Sequence, residues 1–331
     1  MRKLALTTII AFAAFVYFST SALAQEAHDF KFAAMPEAAR GPAINQEQGY
    51  IVVELADGLF LVNDGVYQMM FLTTGKGVIA VDAPPNTGAK ILAAISSVTD
   101  EPITHVIYSH THKDHIGAAG IYPKNAVVIA HKDTAAHLAA KNDPDRPVPT
   151  ITFTDSMTLE VGNQTLKLDY HGLNHSPGNI SIYAPKQKVL MMIDVVFPGW
   201  VPFPDLALAQ SVDGFIKAHD VILSYKFDHY IGGHLTRHGT RADVETQKEY
   251  IGDIVKAAGK ANSAMDPGAA AAQAAEGGGQ GNPWAFIKIL FDNVARQCAD
   301  EVEKKWAGRL GGVDIFTFDH CWKVSEHQRI D

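Results

Sequence analysis

The sequence predicts an α/β layered fold, and three observations carry that expectation. Residues 51–82 hold four short apolar segments, Ile51-Val52-Val53-Glu54-Leu55, Leu59-Phe60-Leu61-Val62, Tyr67-Gln68-Met69-Met70-Phe71-Leu72 and Val78-Ile79-Ala80-Val81-Asp82. Asp57-Gly58, Asn63-Asp64-Gly65 and Gly75-Lys76-Gly77 break them up, as in an antiparallel meander. From residue 87 onward, helical and strand patterns alternate: Thr87–Val98 as helix, Ile103–Tyr108 as strand, Ala126–Ala130 as strand and Lys132–Lys141 as helix. The third observation is bulk: 331 residues at 47% hydrophobic content bury a sizeable core without a disulfide framework.

At the N-terminus, Arg2-Lys3 precedes an apolar stretch from Leu4 to Phe18 and then Ala22-Leu23-Ala24. A basic start, an apolar middle and a small-x-small exit describe a secretory signal peptide over residues 1–24, and hence a periplasmic or secreted protein. The apolar stretch lies near the lower limit for a permanent span, so no stable membrane association is expected after cleavage. The net charge of −8 argues against nucleic-acid binding by bulk electrostatics and leaves a small molecule as the expected partner. Residues 25–49, with Pro36, Gly41 and Pro42, read as an extended arm ahead of a catalytic domain over 50–259.

The chemistry concentrates in His110-Thr111-His112-Lys113-Asp114-His115, directly after the strand Ile103–Tyr108. On extended backbone His110, His112 and Asp114 share one side, and His115 joins them only if the chain turns. Three imidazoles and a carboxylate within six residues suit zinc, or iron or another first-row metal. Further along, His175 precedes Ser176-Pro177-Gly178, whose proline and glycine force a turn. Asp194 ends the apolar run Val189–Ile193, and Gly232-Gly233-His234 closes a later strand. His131, His137, His171 and His229 have no motif around them and read as structural or exposed.

This run resembles the H-x-H-x-D-H signature of the metallo-β-lactamase-fold hydrolases, with the likeness extending over about 51–258. The resemblance implies an αβ/βα sandwich, two mixed sheets face to face with helices outside and metal at one edge. It also implies two zinc ions, one held by His110, His112 and His175, the other by Asp114, His115 and His234, with Asp194 bridging. Asp114 would then orient the nucleophile, a metal-bound hydroxide, and relay a proton. Asp82 either supports the metal site from beneath, as an acid at the matching strand end does in the family, or simply forms a turn. The histidine at the second motif position, His112, argues against the flavin-linked di-iron relatives, which carry an acid there.

The expected function is therefore an exported dinuclear zinc hydrolase of a small ester, lactone or amide. The alternatives are a β-lactamase of the same fold, a mononuclear-iron redox or sulfur enzyme on this scaffold, and a non-catalytic metal-binding accessory protein. Many β-lactamases of this fold carry a lysine or serine just after the strand ending in the bridging aspartate. Here Val195, Val196 and Phe197 occupy that stretch, followed by Pro198-Gly199-Trp200-Val201-Pro202-Phe203-Pro204. This segment reads equally as a pocket wall and as ordinary packing, and Arg237, His238 and Arg241 remain as other anion anchors or as exposed side chains. After a helix from Arg241 to Ala258, residues 260–282 read as a flexible linker whose alanines also allow a helical turn. Residues 283–331 then form a helical extension, either packed on the domain, in a homodimer contact or over the pocket. Its Cys298 and Cys321, the only cysteines, form one disulfide or remain two thiols.

Overall fold

Two mixed sheets face each other in the structure, a computed structural model that describes residues 31–331. The expected signal peptide and residues 25–30 of the arm lie outside the described residues. The first sheet orders its strands as β1 (Ile51–Ala56), β2 (Leu59–Asn63), β3 (Gln68–Thr73), β4 (Val78–Val81), β5 (Ile103–Ile107), β6 (Val127–His131) and β7 (Ile151–Phe153). Its first four strands run antiparallel and the pairs from β4 to β7 run parallel. The second sheet runs β12 (His229–Ile231), β11 (Val189–Met191), β10 (Ser181–Ala184), β9 (Gln164–Asp169) and β8 (Ser156–Val161), with β11 and β12 parallel.

Strand alternation divides the side chains between layers. Leu61, Met70, Ile79, Val81, Ile107 and Ile129 point into the sandwich and meet Leu166, Leu168, Ile182, Val189, Met191 and Ile231 of the other sheet. Their neighbours of opposite parity, Phe71, Val78, Ala80 and Val106, pack outward against α1 (Lys90–Ser96) and α3 (Lys132–Lys141). Leu190 and Tyr230 do the same on the second sheet, beneath α5 (Val212–Ser224) and α6 (Arg241–Ser263). This is the αβ/βα sandwich.

The C-terminal part differs from the sequence reading. Within 260–282, α7 (Pro267–Glu276) replaces a flexible linker. Asp266 accepts a capping hydrogen bond from the Ala269 amide, Pro267 starts the helix, and Ala270 and Ala274 bury the one narrow face that alanines offer. Then α8 (Pro283–Trp306) and α9 (Val313–Ile330) join the core of α6, where Cys298 and Cys321 are disulfide-bonded. Ala33–Asp331 is thus a single compact unit with the extension built in.

Strands β7 and β10 and helix α5 had no counterpart in the sequence reading. One further feature is unusual: α4 (Pro204–Leu208) is a left-handed turn, with φ of 55, 58, 56 and 57° at Asp205, Leu206, Ala207 and Leu208. Such backbone costs roughly 1–2 kcal/mol per L-residue, so surrounding contacts must hold it.

Candidate metal centre and its cavity

The site is assembled where loops leave the ends of the strands. After β5 the chain bends through Ser109–Thr111 and enters the single helical turn α2 (Lys113–Ile116), with His112 at its N-cap. The helix, rather than strand alternation, brings Asp114 and His115 round to join His110 and His112. The turn the sequence requires for His115 therefore begins two residues before it.

All seven residues expected at the site come together. His110, His112, His175 and Asp194 form one group, and Asp114, His115 and His234 a second, with donor atoms within 4.8 Å of one another in each. Asp194 faces both: its Oδ2 lies 3.4 Å from His110 Nε2 and 3.2 Å from both His115 Nε2 and His175 Nε2, and its Oδ1 lies 2.9 Å from His234 Nε2. Imidazole nitrogens also approach each other, His112 Nδ1 to His175 Nε2 and His115 Nε2 to His234 Nε2, both at 3.0 Å. Ligands 2.0–2.1 Å from a tetrahedral ion sit roughly 3.3 Å apart, so this is the spacing of a coordination shell.

Hydrogen bonding supports the same conclusion. His110 Nε2 and Asp194 Oδ1 are buried without a hydrogen-bond partner, although an ionisable side chain stands within ion-pair distance of each. Distance without alignment is what convergence on a common centre produces, and it leaves buried polar atoms that a metal would satisfy. The donor set therefore fits metal ions.

Outer contacts aim the rings. His175 Nδ1–H donates to the Ala207 carbonyl at 2.7 Å, inside the left-handed turn, which turns Nε2 inward. His110 Nδ1 pairs with the Ser109 hydroxyl at 2.9 Å. The Asp82 carboxylate, fully buried, accepts from the Ser109 amide at 2.8 Å, and its carbonyl accepts from the Tyr122 hydroxyl at 2.7 Å. Asp82 thus braces the motif loop from below, and the turn-only reading falls.

Other braces escaped the sequence reading. Arg146 Nη1 donates to the Thr111 carbonyl at 2.8 Å while its Nε holds Asp143 at 2.9 Å. Asn179 Nδ2 ties the Asn174 side chain at 2.9 Å to the Ile193 carbonyl at 3.0 Å, joining the His175 and Asp194 segments. Gln68 Nε2 donates to the carbonyls of His234, Leu235 and Arg237 at 2.8–3.0 Å. Only the proximity of Asp143 to Arg146 left a sequence trace; the other contacts join segments far apart in the chain. Gly233 has φ +91°, and a Cβ there would lie 2.6 Å from Ile193 Cδ1 and 3.0 Å from His115 Cε1. The glycine of the closing motif is thus required by close approach.

The charges follow from burial and proximity. Burial pushes His110 well below the usual imidazole range and His112 down to about 4. Burial also disfavours charge on His115, but the carboxylates of Asp194, Asp114 and Asp82 outweigh it and raise its pKa to about 9. Burial would likewise raise Asp194, yet His115, His175 and His234 hold it well below the carboxylate range. His115 and Asp194 thus face each other as a buried ion pair, beside neutral His110 and His112. Asp82 is pushed up to about 6, chiefly by burial.

A cavity of about 410 Å³ opens onto His112, Asp114, His175, Asp194 and His234, with walls of Val66, Tyr67, Phe197, Trp200, Val201, Phe203, Leu208, Ile315 and Phe316. Phe197 stacks on His234, with ring centroids 5.7 Å apart. Among the described residues no lysine or arginine lines it. Arg237 is bound to Asp243 at 2.6 Å and to the Ala38 carbonyl, and Arg241 caps the carbonyls of Leu223 and Tyr225. Neither arginine is an anchor for a substrate anion.

Comparison with known proteins gives the same placement. The family model described as the metallo-beta-lactamase superfamily matches residues 62–248, more than half of the chain. The chain belongs to the metallo-β-lactamase superfamily. Among curated relatives, it is 28% identical over 197 residues to the 2,4-dinitroanisole O-demethylase subunit alpha of Nocardioides sp. (strain JS1661), covering 56% of this chain and 59% of that one. It is 30% identical over 124 residues to the metallo-beta-lactamase type 2 of Bacteroides fragilis, covering 37% of this chain and 49% of that one. The matches thus span about half to three-fifths of these relatives' lengths. The solved metallo-beta-lactamase from Pontibacter korlensis superposes with a TM-score of 0.52 at 18% identity, covering 60% of this chain and 97% of that one. This superfamily member carries α7, α8 and α9 beyond the matched region.

Proposed function

We propose that this chain is an exported hydrolase that holds two metal ions, zinc foremost, and cleaves small uncharged esters or lactones, with amides as a further substrate class. The observation that carries the reading is the cavity: it ends on the seven-residue cluster and is otherwise apolar. His110, His112 and His175 would hold one ion and Asp114, His115 and His234 the other, with Asp194 between them. Such ions supply Lewis-acid polarisation of a carbonyl and a nucleophile at neutral pH. The protein's own part is to aim and to shield. Asp114 turns Oδ2 toward His115 and His234, and its part-exposed carboxylate at the cavity floor would accept a proton from the attacking water at Oδ1 and return it to the leaving oxygen. Phe197, Trp200 and Phe203 pack the apolar body of the substrate and exclude bulk water. The disulfide supports export, since such bonds persist in oxidising compartments.

A β-lactam carries a carboxylate, and among the described residues this cavity offers it no lysine or arginine. Losing one charge-assisted hydrogen bond costs about 1.5–3 kcal/mol, roughly ten- to a hundredfold in efficiency. The test compares kcat/KM for a penicillin, a carbapenem, acyl lactones and aryl esters, before and after chelation and on adding zinc back. Lactones or esters should lead, with activity lost on chelation and restored by zinc. A clear β-lactam preference would overturn the substrate assignment, and chelator-resistant turnover would overturn the metal dependence.

A second reading has one observation in its favour. The relative named as an O-demethylase of 2,4-dinitroanisole matches a larger share of this chain than the lactamase does. An aryl methyl ether would suit the aromatic wall, and methanol release from nitroanisoles in the same screen would establish that reading.

A further inference from the structure

The cavity has a wall that the family match does not supply. Gly311, Gly312, Ile315 and Phe316 line it, all well beyond residue 248, where the match ends. They come from the start of α9 and the turn before it, facing the aromatic segment that follows Asp194.

Four contacts hold this wall in place. Gly311 pairs with Trp200 as an isolated β-bridge: the Val201 amide donates to the Gly311 carbonyl at 3.0 Å, and the Gly311 amide to the Gly199 carbonyl at 2.9 Å. A Cβ on Gly311 would lie 2.4 Å from the Trp200 ring, so the backbone lies directly against the indole. His320, buried on α9, has Nε2 3.1 Å from the Phe203 carbonyl and Nδ1 2.9 Å from the Tyr250 hydroxyl on α6. One imidazole thus pins the pocket loop to two helices. Phe203 and Phe316 pack edge to face at 5.6 Å between centroids, and the Cys298–Cys321 disulfide fixes α9 to α8 just behind.

The wall remains partly open to solvent. Ile315 is 44% exposed, Phe203 54% and Leu208 52%, three large apolar side chains beside one cavity mouth. The loop and the helix that carry them are anchored by specific backbone contacts, and Leu208 rides on the strained left-handed turn whose Ala207 carbonyl aims His175. Ordered apolar groups kept in water next to a polar centre are what a site for an apolar ligand requires.

We propose that the C-terminal helical extension is part of the substrate site, with Ile315 and Phe316 binding the apolar portion of an uncharged substrate and setting its preferred chain length. The inference rests on the hydrolase reading for the word substrate, but the binding surface stands apart from turnover. Specificity for this portion resides outside the family's matched region, on a helix joined by a disulfide to its neighbour. Each methylene taken into such a wall should raise affinity roughly fourfold until the cavity is full.

The test uses the full metal-loaded chain and an environment-sensitive apolar dye, N-phenyl-1-naphthylamine, displaced by methyl ketones of increasing chain length. Wild type should bind ketones with affinity that climbs with length. Ile315→Asp and Phe316→Ala should flatten that climb, losing about tenfold or more for the longest ketone and less than about twofold for the shortest, at unchanged metal content and helicity. Equal losses at all lengths, or none, would overturn the inference, as would a wild type that does not discriminate length. Ester turnover in the same samples reports separately on the hydrolase reading. A wild type that discriminates ketones but cleaves no ester keeps the wall and removes that reaction.

Discussion

His110 and His234 show how much one residue carries here. Both sit on loops that leave strand ends, and neither fills the sandwich core. His110→Ala and His234→Ala are expected to lose metal and at least about a thousandfold in kcat/KM while keeping the far-ultraviolet circular dichroism of the parent. Either variant retaining parental metal content and turnover would remove that residue from the centre. Asp114→Asn should lower kcat by about a hundredfold or more with little change in KM, because an amide still fills the position but accepts no proton. A raised KM at constant kcat would instead make Asp114 a substrate-positioning group. Residues of this kind were legible in the sequence, since metal chemistry restricts donor types and the motif compresses four of them into six positions. Their supports were not. Arg146, Asn179 and Gln68 act through backbone carbonyls distant in sequence, and no local pattern records which carbonyl a side chain will find.

The helices α3 and α8 could be read from periodicity because each buries one face, while strands such as β4 and β11, buried on both faces, could be read as short apolar runs between turn signals. The stretch 260–282 could not, since alanine and glycine offer little contrast between faces; the burial of Ala270 and Ala274 against α8 settles it as partly helical. The left-handed turn at Pro204–Leu208 breaks local rules outright, and it does so where its Ala207 carbonyl is needed by His175. The disulfide belongs to this scale as well. It closes a loop with a separation of 23 residues between α8 and α9, worth about 3 kcal/mol by chain entropy. Cys298→Ser with Cys321→Ser should lower stability by about that amount in urea denaturation, and reducing agent should do the same to the parent. An unchanged unfolding midpoint would show that the helices hold together by packing alone.

Across the whole molecule, the alternation of strand and helix predicted the layers, while the joining of the C-terminal helices to the cavity emerged only from tertiary packing. Two buried histidines, His219 between α5 and α6 and His320 on α9, make stability depend on pH. His219 donates from Nδ1 to the Phe215 carbonyl and accepts at Nε2 from Gln247, whose amide also reaches the Val195 carbonyl. His320 joins α9 to Tyr250 and the Phe203 carbonyl. Burial pushes both down to about 4, so both are neutral in the fold, while the unfolded chain titrates them near the ordinary ~6.5. The unfolded state therefore binds more protons between those values. Stability is fully present above about pH 6.5 and is lost as the pH falls toward about 4, by up to about 3 kcal/mol for each histidine. Urea denaturation across that range should show this slope, and a shallower one for His219→Gln; identical slopes would contradict it. The central claim is that the seven-residue cluster holds a pair of metal ions. Elemental analysis of the purified chain tests it most directly. Close to two transition-metal ions per chain are expected, mostly zinc, falling to about one in His234→Ala. One iron per chain, with no second ion taken up when zinc is added, would contradict it.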